Sequence, residues 1–259
     1  MKARLSAQVI LVTRPVDQCT RLAQLIREAG GEPLLFPALE IQALPDQSFL
    51  SALGRLGHID LLVFVSPSAV RVALPGILKH GGIAGRTQVA AVGPGTAAEL
   101  KRNGIEDIIS PKKGFDSEAL LDEFSSMNFE ATRVLIVRGQ GGREFLPQRL
   151  RARGAVVDYL ECYRSVKPER DMRELAGRGG IRACLATSST IVGNLFQMAG
   201  TAARDWLRGI PFFVPHPRVA ATAFELGAQC VFVAGSGDEA LVEALETWFA
   251  RLRGANAES

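Results

Sequence analysis

The chain has 259 residues, 47% of them hydrophobic, and 30 Lys and Arg against 27 Asp and Glu give a net charge of +3. That length accommodates two lobes of modest size, while the small charge, with no basic segment interleaved with aromatics, excludes nucleic acid as a partner and the slight cation excess suits an anionic small molecule. The run Val9–Val12 behind Lys2 and Arg4 is too short for a signal-peptide core and no stretch reaches membrane-spanning length, so a cytoplasmic protein with no membrane association is expected.

Short apolar runs alternate with helical patterns, the signature of βαβ units and a parallel sheet. In chain order the expected strands are Val9–Val12, Pro33–Phe36, Leu61–Val65, Val89–Val92, Ile108–Ser110, Val134–Val137, Val156–Tyr159, Ala183–Ala186, Phe212–Val214 and Val231–Ala234. The helices between them are expected over Asp17–Ala29, Ser68–His80, Thr96–Asn103, Ser117–Phe124, Arg143–Arg153, Ile191–Met198, Arg218–Leu226 and Glu239–Arg251. Gly30, Gly104, Gly154 and Gly227 each follow a helix, where a left-handed residue is needed. Lys167–Gly180 reads as a surface connection with one helical turn, and Gly254–Ser259 as a frayed tail. The ten strands divide into five per lobe.

The chain also reads twice. Ser66 and Ser188 each end an apolar run, 122 positions apart; Ala91–Ala98 returns as Val214–Ala221 after 123, and Leu39-Glu40-Ile41 as Leu160-Glu161-Cys162 after 121. A spacing near half the chain indicates two similar lobes, and clefts between domains are favoured ligand sites. Two contiguous lobes cut near residue 125 are the simplest arrangement. The matching extended runs Phe36–Ile41 and Tyr159–Arg164 also allow a paired two-strand linker joining the N-terminal βαβ unit to the C-terminal third.

Ligands of parallel sheets bind outside the carboxyl ends of the strands, where helix N-termini expose N–H groups. Those junctions read Thr13-Arg14-Pro15, Ser66-Pro67-Ser68, Gly93-Pro94-Gly95-Thr96, Arg138-Gly139-Gln140-Gly141-Gly142, Thr187-Ser188-Ser189 and Pro215-His216-Pro217-Arg218, and contain no acid. Each hydroxyl alone is explained as a helix cap; together the six junctions suit carboxylates or phosphates. A dinucleotide loop at Gly139 fails because the third glycine would fall at Glu144, and no P-loop occurs. Cys19, Cys162, Cys184 and Cys230 are scattered, fitting free thiols better than disulfides or zinc, and His58, His80 and His216 form no triad. The two tyrosines, Tyr159 and Tyr163, are four apart and so are expected on one face of an extended strand, where a phenol can donate a proton. A half-buried strand aromatic is the alternative for either.

In this order, Leu11–Pro15, Phe36–Ile41, Phe64–Val70, Ala91–Ala97, Gly114–Glu118, Val137–Gly139, Gly142–Glu144 and Leu160–Arg164 resemble the uroporphyrinogen-III synthase family over nearly the whole chain. The resemblance implies an α/β fold of two similar flavodoxin-like lobes, each a five-stranded parallel sheet flanked by helices, joined by a two-stranded linker. Lobe 1 would comprise 1–36 and 165–259, lobe 2 42–158, and the linker strands 37–41 and 159–164. It also implies a cofactor-free, metal-free lyase, monomeric, that takes hydroxymethylbilane from hydroxymethylbilane synthase and closes it with inversion of ring D.

Tyr163 matches the family position suspected as the acid, Thr96 a junction threonine, and Ser66 and Ser188 the paired strand-end hydroxyls. With these, Arg14, Ser68, Arg138, Gly139, Ser189, His216 and Arg218 are the expected substrate-binding residues. One departure stands out: where the family often has Gly-Pro-Thr-Thr, this chain has His216-Pro217-Arg218-Val219, and Arg218 with His216 is expected to replace the lost hydroxyls. The competing reading from another class is a bilobed binding protein or sensor for an anionic metabolite.

Overall fold

A computed structural model describes residues 4–44, 54, 58–114 and 116–257, with side chains to residue 254. Phe115 of the Gly114–Glu118 motif and the last two residues of the expected tail lie outside the described residues. In chain order, β1 (Val9–Val12) leads through a 3-10 turn, Val16–Gln18, to α1 (Thr20–Glu28), β2 (Glu32–Leu35), β3 (Glu40–Ala43) and β4 (Leu61–Phe64). Next come α2 (Pro67–Lys79), β5 (Gln88–Ala91), α3 (Pro94–Arg102), β6 (Ile108–Ile109), α4 (Ser117–Glu123), β7 (Arg133–Gly139), α5 (Phe145–Arg151) and β8 (Val156–Val166). The remainder is α6 (Arg173–Arg178), β9 (Ile181–Leu185), α7 (Ser189–Ala199), α8 (Arg204–Gly209), β10 (Phe212–Val214), α9 (Pro217–Glu225), β11 (Val231–Val233) and α10 (Asp238–Ala257).

The chain forms two compact units, one made of Met1–Glu40 and Val166–Ser259 and the other of Ile41–Ser165. In the first, five parallel strands lie in the order β11-β10-β9-β1-β2. In the second, six lie in the order β3-β8-β7-β4-β5-β6, and the five from β8 to β6 are parallel. β3 runs against β8, since Leu44 N–H bonds the Cys162 carbonyl while Gln42 meets Arg164. Ten expected strands thus become eleven among the described residues. Residues 159–164 form the second half of a continuous β8, with which β7 pairs as far as Gly139–Tyr163.

Both faces of each sheet are covered, which is why the strands read as unbroken apolar runs. In the second unit Leu62 and Phe64 of β4 pack with Val70, Leu74 and Leu100, while Leu61 and Val63 pack on the other face with Phe124, Phe129 and Leu150. In the first unit Leu11 packs with Leu195 and Phe212, and Ile10 and Val12 with Phe213, Leu241 and Leu245.

Helices begin where the sequence supplies caps. Ser66, Asp116 and Ser188 side chains accept from Ala69, Ala119 and Ile191 N–H groups at 3.1, 2.9 and 3.2 Å, and Pro67, Pro94 and Pro217 occupy first helical positions. The four glycines expected to close helices all have positive φ, from 83° at Gly104 to 99° at Gly227. Two differences concern periodicity. α8 was not expected, because six residues cannot show a repeat; α10 continues through Ala257, into the segment expected to fray. Among the described residues no helix is long and apolar enough to cross a membrane.

Candidate active site

In the second unit the carboxyl ends of β4, β7 and β8 converge on Tyr163. Its hydroxyl lies 3.1 Å from Ser66 Oγ, which also accepts the Ala69 N–H. Its ring covers Gly139: a Cβ added there would stand 2.5 Å from Tyr163 Cε2 and 2.6 Å from Cζ, so only glycine admits the ring. Burial pushes the Tyr163 phenol above its ordinary pKa, and the Ser66 hydrogen bond pulls against that rise. The phenol is therefore neutral at physiological pH, a proton donor held by a fixed partner.

Tyr159 and Tyr163 do not share a face, contrary to the count of four. The pairing of β7 with β8 shifts by one residue between Arg138 and Gly139, so Glu161 opposes Arg138 but Tyr163 opposes Gly139. A bulge of this kind breaks the period of two. Tyr163 consequently packs with Leu160 and Cys162 beside α2, whereas Tyr159 packs with Val157 on the opposite face.

Arg138, expected to bind substrate, is 7% exposed and engaged with protein groups. Its guanidinium donates to Glu144 at 2.7 Å, to Glu161 at 3.1 and 3.3 Å and to the Gly142 carbonyl at 3.3 Å, and stacks 3.8 Å from the Tyr159 ring centroid. The Tyr159 hydroxyl donates to Glu144 at 2.5 Å. That bond, and then the one from Arg138, hold the Glu144 carboxyl below the usual range. The network fixes the glycine-rich turn after β7, immediately beyond Gly139. Ser68 and Thr96, in the first turns of α2 and α3, are 4% and 3% exposed and packed into the unit. Among the described residues no group of three or more His, Cys, Asp or Glu is placed to hold a metal ion.

The first unit presents the corresponding junctions. Arg14, after β1, is not an open cation: it makes two 2.8 Å bonds to Asp238, at the start of α10. Two of the junctions that contain no acid in sequence, those of Arg14 and Arg138, thus receive acids in space. Ser188 caps α7, and Ser189 Oγ accepts from Thr222 of α9 at 2.9 Å. His216 is itself the cap of α9, its Nδ1 accepting the Arg218 N–H at 3.2 Å.

Arg218 is different. It is exposed in the first turn of α9, where the helix dipole disfavours a cation, and among the described residues its guanidinium has no partner. Helix stability therefore does not explain it. Arg218→Ala is expected to raise the substrate KM about three- to tenfold with kcat little changed, as for loss of one charge-assisted contact; an unchanged KM defeats the assignment.

Asp238, Glu144 and Glu161 were missed from sequence, because each meets its arginine through tertiary structure. Only the Glu144 position, where a dinucleotide glycine is replaced by an acid, carried a local signal.

The uroporphyrinogen-III synthase family model (Uroporphyrinogen-III synthase HemD) matches residues 20–243. The chain is 34% identical over 246 residues to the uroporphyrinogen-III synthase of Salmonella typhimurium, covering 92% of this chain and 99% of that one, and 33% identical over the same length to that of Escherichia coli. Among solved structures, a mutant uroporphyrinogen III synthase from Thermus thermophilus superposes with a TM-score of 0.64 at 17% identity, over 94% of this chain and 99% of that one. The uroporphyrinogen-III synthetase of Helicobacter pylori gives 0.61 at 15% identity, over 93% and 99%. Those two likenesses bear on the fold, an α/β arrangement of parallel sheets flanked by helices, and the sequence matches bear on descent: the chain belongs to the uroporphyrinogen-III synthase family.

Proposed function

We propose that this protein is a uroporphyrinogen-III synthase, a lyase that closes hydroxymethylbilane into uroporphyrinogen III with loss of one water. The observation that carries the reading is the end-to-end relationship to synthases of that name, 92% of this chain against 99% of the relative. Loss of hydroxide from ring A gives an azafulvene, the substituted carbon of ring D attacks it, and the resulting spiro intermediate fragments and recloses with ring D inverted. Closure without the enzyme gives the unrearranged isomer I, so the protein's main task is to hold a geometry. Tyr163 is the acid for the leaving hydroxyl, and Arg218 and the exposed ends of the hydroxyl-bearing junctions bind substrate carboxylates.

The protein acts as a cytoplasmic monomer without cofactor, on substrate handed over by hydroxymethylbilane synthase. Its units are two copies of one flavodoxin-like lobe joined through the paired strands β3 and β8. Strand order supports this: β11-β10-β9-β1-β2 matches β6-β5-β4-β7-β8 place for place, with Ser188 after β9 answering Ser66 after β4.

Product isomer analysis tests the function. Purified protein added to freshly generated hydroxymethylbilane is expected to give predominantly isomer III without additives. Isomer I alone from folded protein, as in the protein-free control, defeats the reading in favour of the anionic-metabolite binder.

A further inference from the structure

We infer that Ser66 is the positioning residue for Tyr163: its hydroxyl donates to the phenol oxygen, leaving the phenol's own proton free for the leaving group. The inference rests on the synthase reading and on Tyr163 as its acid. Ser66 Oγ accepts the Ala69 N–H at 3.1 Å, and the Tyr163 hydroxyl, also at 3.1 Å, is its only other side-chain partner among the described residues. With one lone pair engaged by the amide, the serine proton is directed most simply to the phenol oxygen. The reverse polarity would tie up the phenol proton and leave the serine proton without a partner.

Two further features favour this direction. Ser66 stands at the N-terminus of the 13-residue α2, whose positive end stabilises charge developing on the phenol oxygen. Gly139 beneath the ring leaves the space in which the Tyr163 hydroxyl reaches Ser66. The repeat sharpens the point. Ser188 forms the same cap in the first unit, but both tyrosines of the chain lie in the second. The phenol partner is what distinguishes Ser66 from its copy.

In the step, the Tyr163 O–H bond breaks and its proton joins the departing hydroxyl of ring A. The C–O electron pair leaves with water, and the pyrrole nitrogen supplies the new double bond of the azafulvene. The phenolate, held by Ser66, is reprotonated by the proton released when ring D makes its final bond, so hydroxymethylbilane yields uroporphyrinogen III and one water.

Ser66→Gly separates donation from capping, because glycine is itself tolerated as an N-cap. It is expected to lower kcat about tenfold with KM within twofold, to move the basic limb of the kcat–pH profile upward, and to leave thermal unfolding nearly unchanged. Ser66→Thr, which keeps the hydroxyl, is expected to restore turnover. The chain has two tyrosines, so 13Cζ-tyrosine NMR yields two resonances, of which one, absent in Tyr163→Phe, is expected to shift in Ser66→Gly and return in Ser66→Thr. Wild-type turnover and an unmoved resonance in Ser66→Gly, with Tyr163→Phe inactive, overturn the positioning role alone. Tyr163→Phe retaining more than a tenth of wild-type turnover overturns the acid and its positioning together, while formation of isomer I only by the wild type overturns the synthase reading itself.

Discussion

Gly139→Ala is expected to lose about a hundredfold in turnover while the protein remains folded, the scale at which a positioned general acid contributes. The new methyl would stand 2.5 Å from Tyr163 Cε2, 2.6 Å from Cζ and 3.0 Å from the hydroxyl oxygen. No carbon pair tolerates that separation, so something must move. The tip of the Tyr163 side chain moves more easily than β7, which is paired on both sides by β4 and β8. The ring therefore swings off Gly139 and its hydroxyl leaves Ser66. Because a side chain absorbs the clash, the stability cost stays within about 1–3 kcal/mol, typical of overpacking.

Kinetics on Gly139→Ala, Tyr163→Phe and the double variant decide the matter. The double variant is expected to be no slower than the worse single one, since both remove the same positioned proton. Turnover of Gly139→Ala within threefold of wild type, with unfolding unchanged, would show that the close approach has no catalytic consequence.

The second large effect concerns stability in the first unit. Asp238→Ala is expected to destabilise it by about 3 kcal/mol, the scale for leaving a charge buried without its partner. The Arg14 and Asp238 side chains are 12% and 19% exposed, and their two 2.8 Å bonds have the parallel geometry of a bidentate pair. Arg14 Nε is already buried without a partner, so removing Asp238 would leave the guanidinium with little compensation. The loss also takes an acid from the first turn of α10, where the helix dipole favours it.

Arg14→Met in the Asp238→Ala background is expected to recover much of the loss, because an apolar side chain needs no counter-ion. Urea unfolding of the wild type, the single and the double variant checks this. A loss below about 1 kcal/mol for Asp238→Ala would place the pair with ordinary surface bridges.

Much of the fold was legible because its signals are local. Apolar runs such as Val9–Val12 and Phe212–Val214 match β1 and β10 residue for residue, and serine caps mark where α2 and α7 begin. Glycines such as Gly154 and Gly227 close helices because other residues resist the left-handed region. The ordered motifs identified the family for a similar reason, most of them recording a short local stretch at a strand end or helix start.

The candidate site was legible in its membership and illegible in its roles. Sequence placed Ser66 and Gly139 at strand ends and Tyr163 in an extended run, but the meeting of Ser66 with Tyr163 spans 97 positions and depends on β4, β7 and β8 lying side by side. Spacing gave the wrong face for Tyr163 relative to Tyr159, because a strand's period of two holds only until a bulge inserts a residue, and pairing with a neighbour creates the bulge. The same limit applied to charge. An arginine's identity fixes its cation, but which anion neutralises it is set by what folding brings within about 3 Å: Asp238 for Arg14 across 224 positions, Glu161 for Arg138 across 23, and no described protein group for Arg218. The sequence by itself determined the alternation of elements, their caps and the family. Only the tertiary structure decided which donors remain open to a ligand, because contacts between distant residues carry no periodic or local trace along the chain.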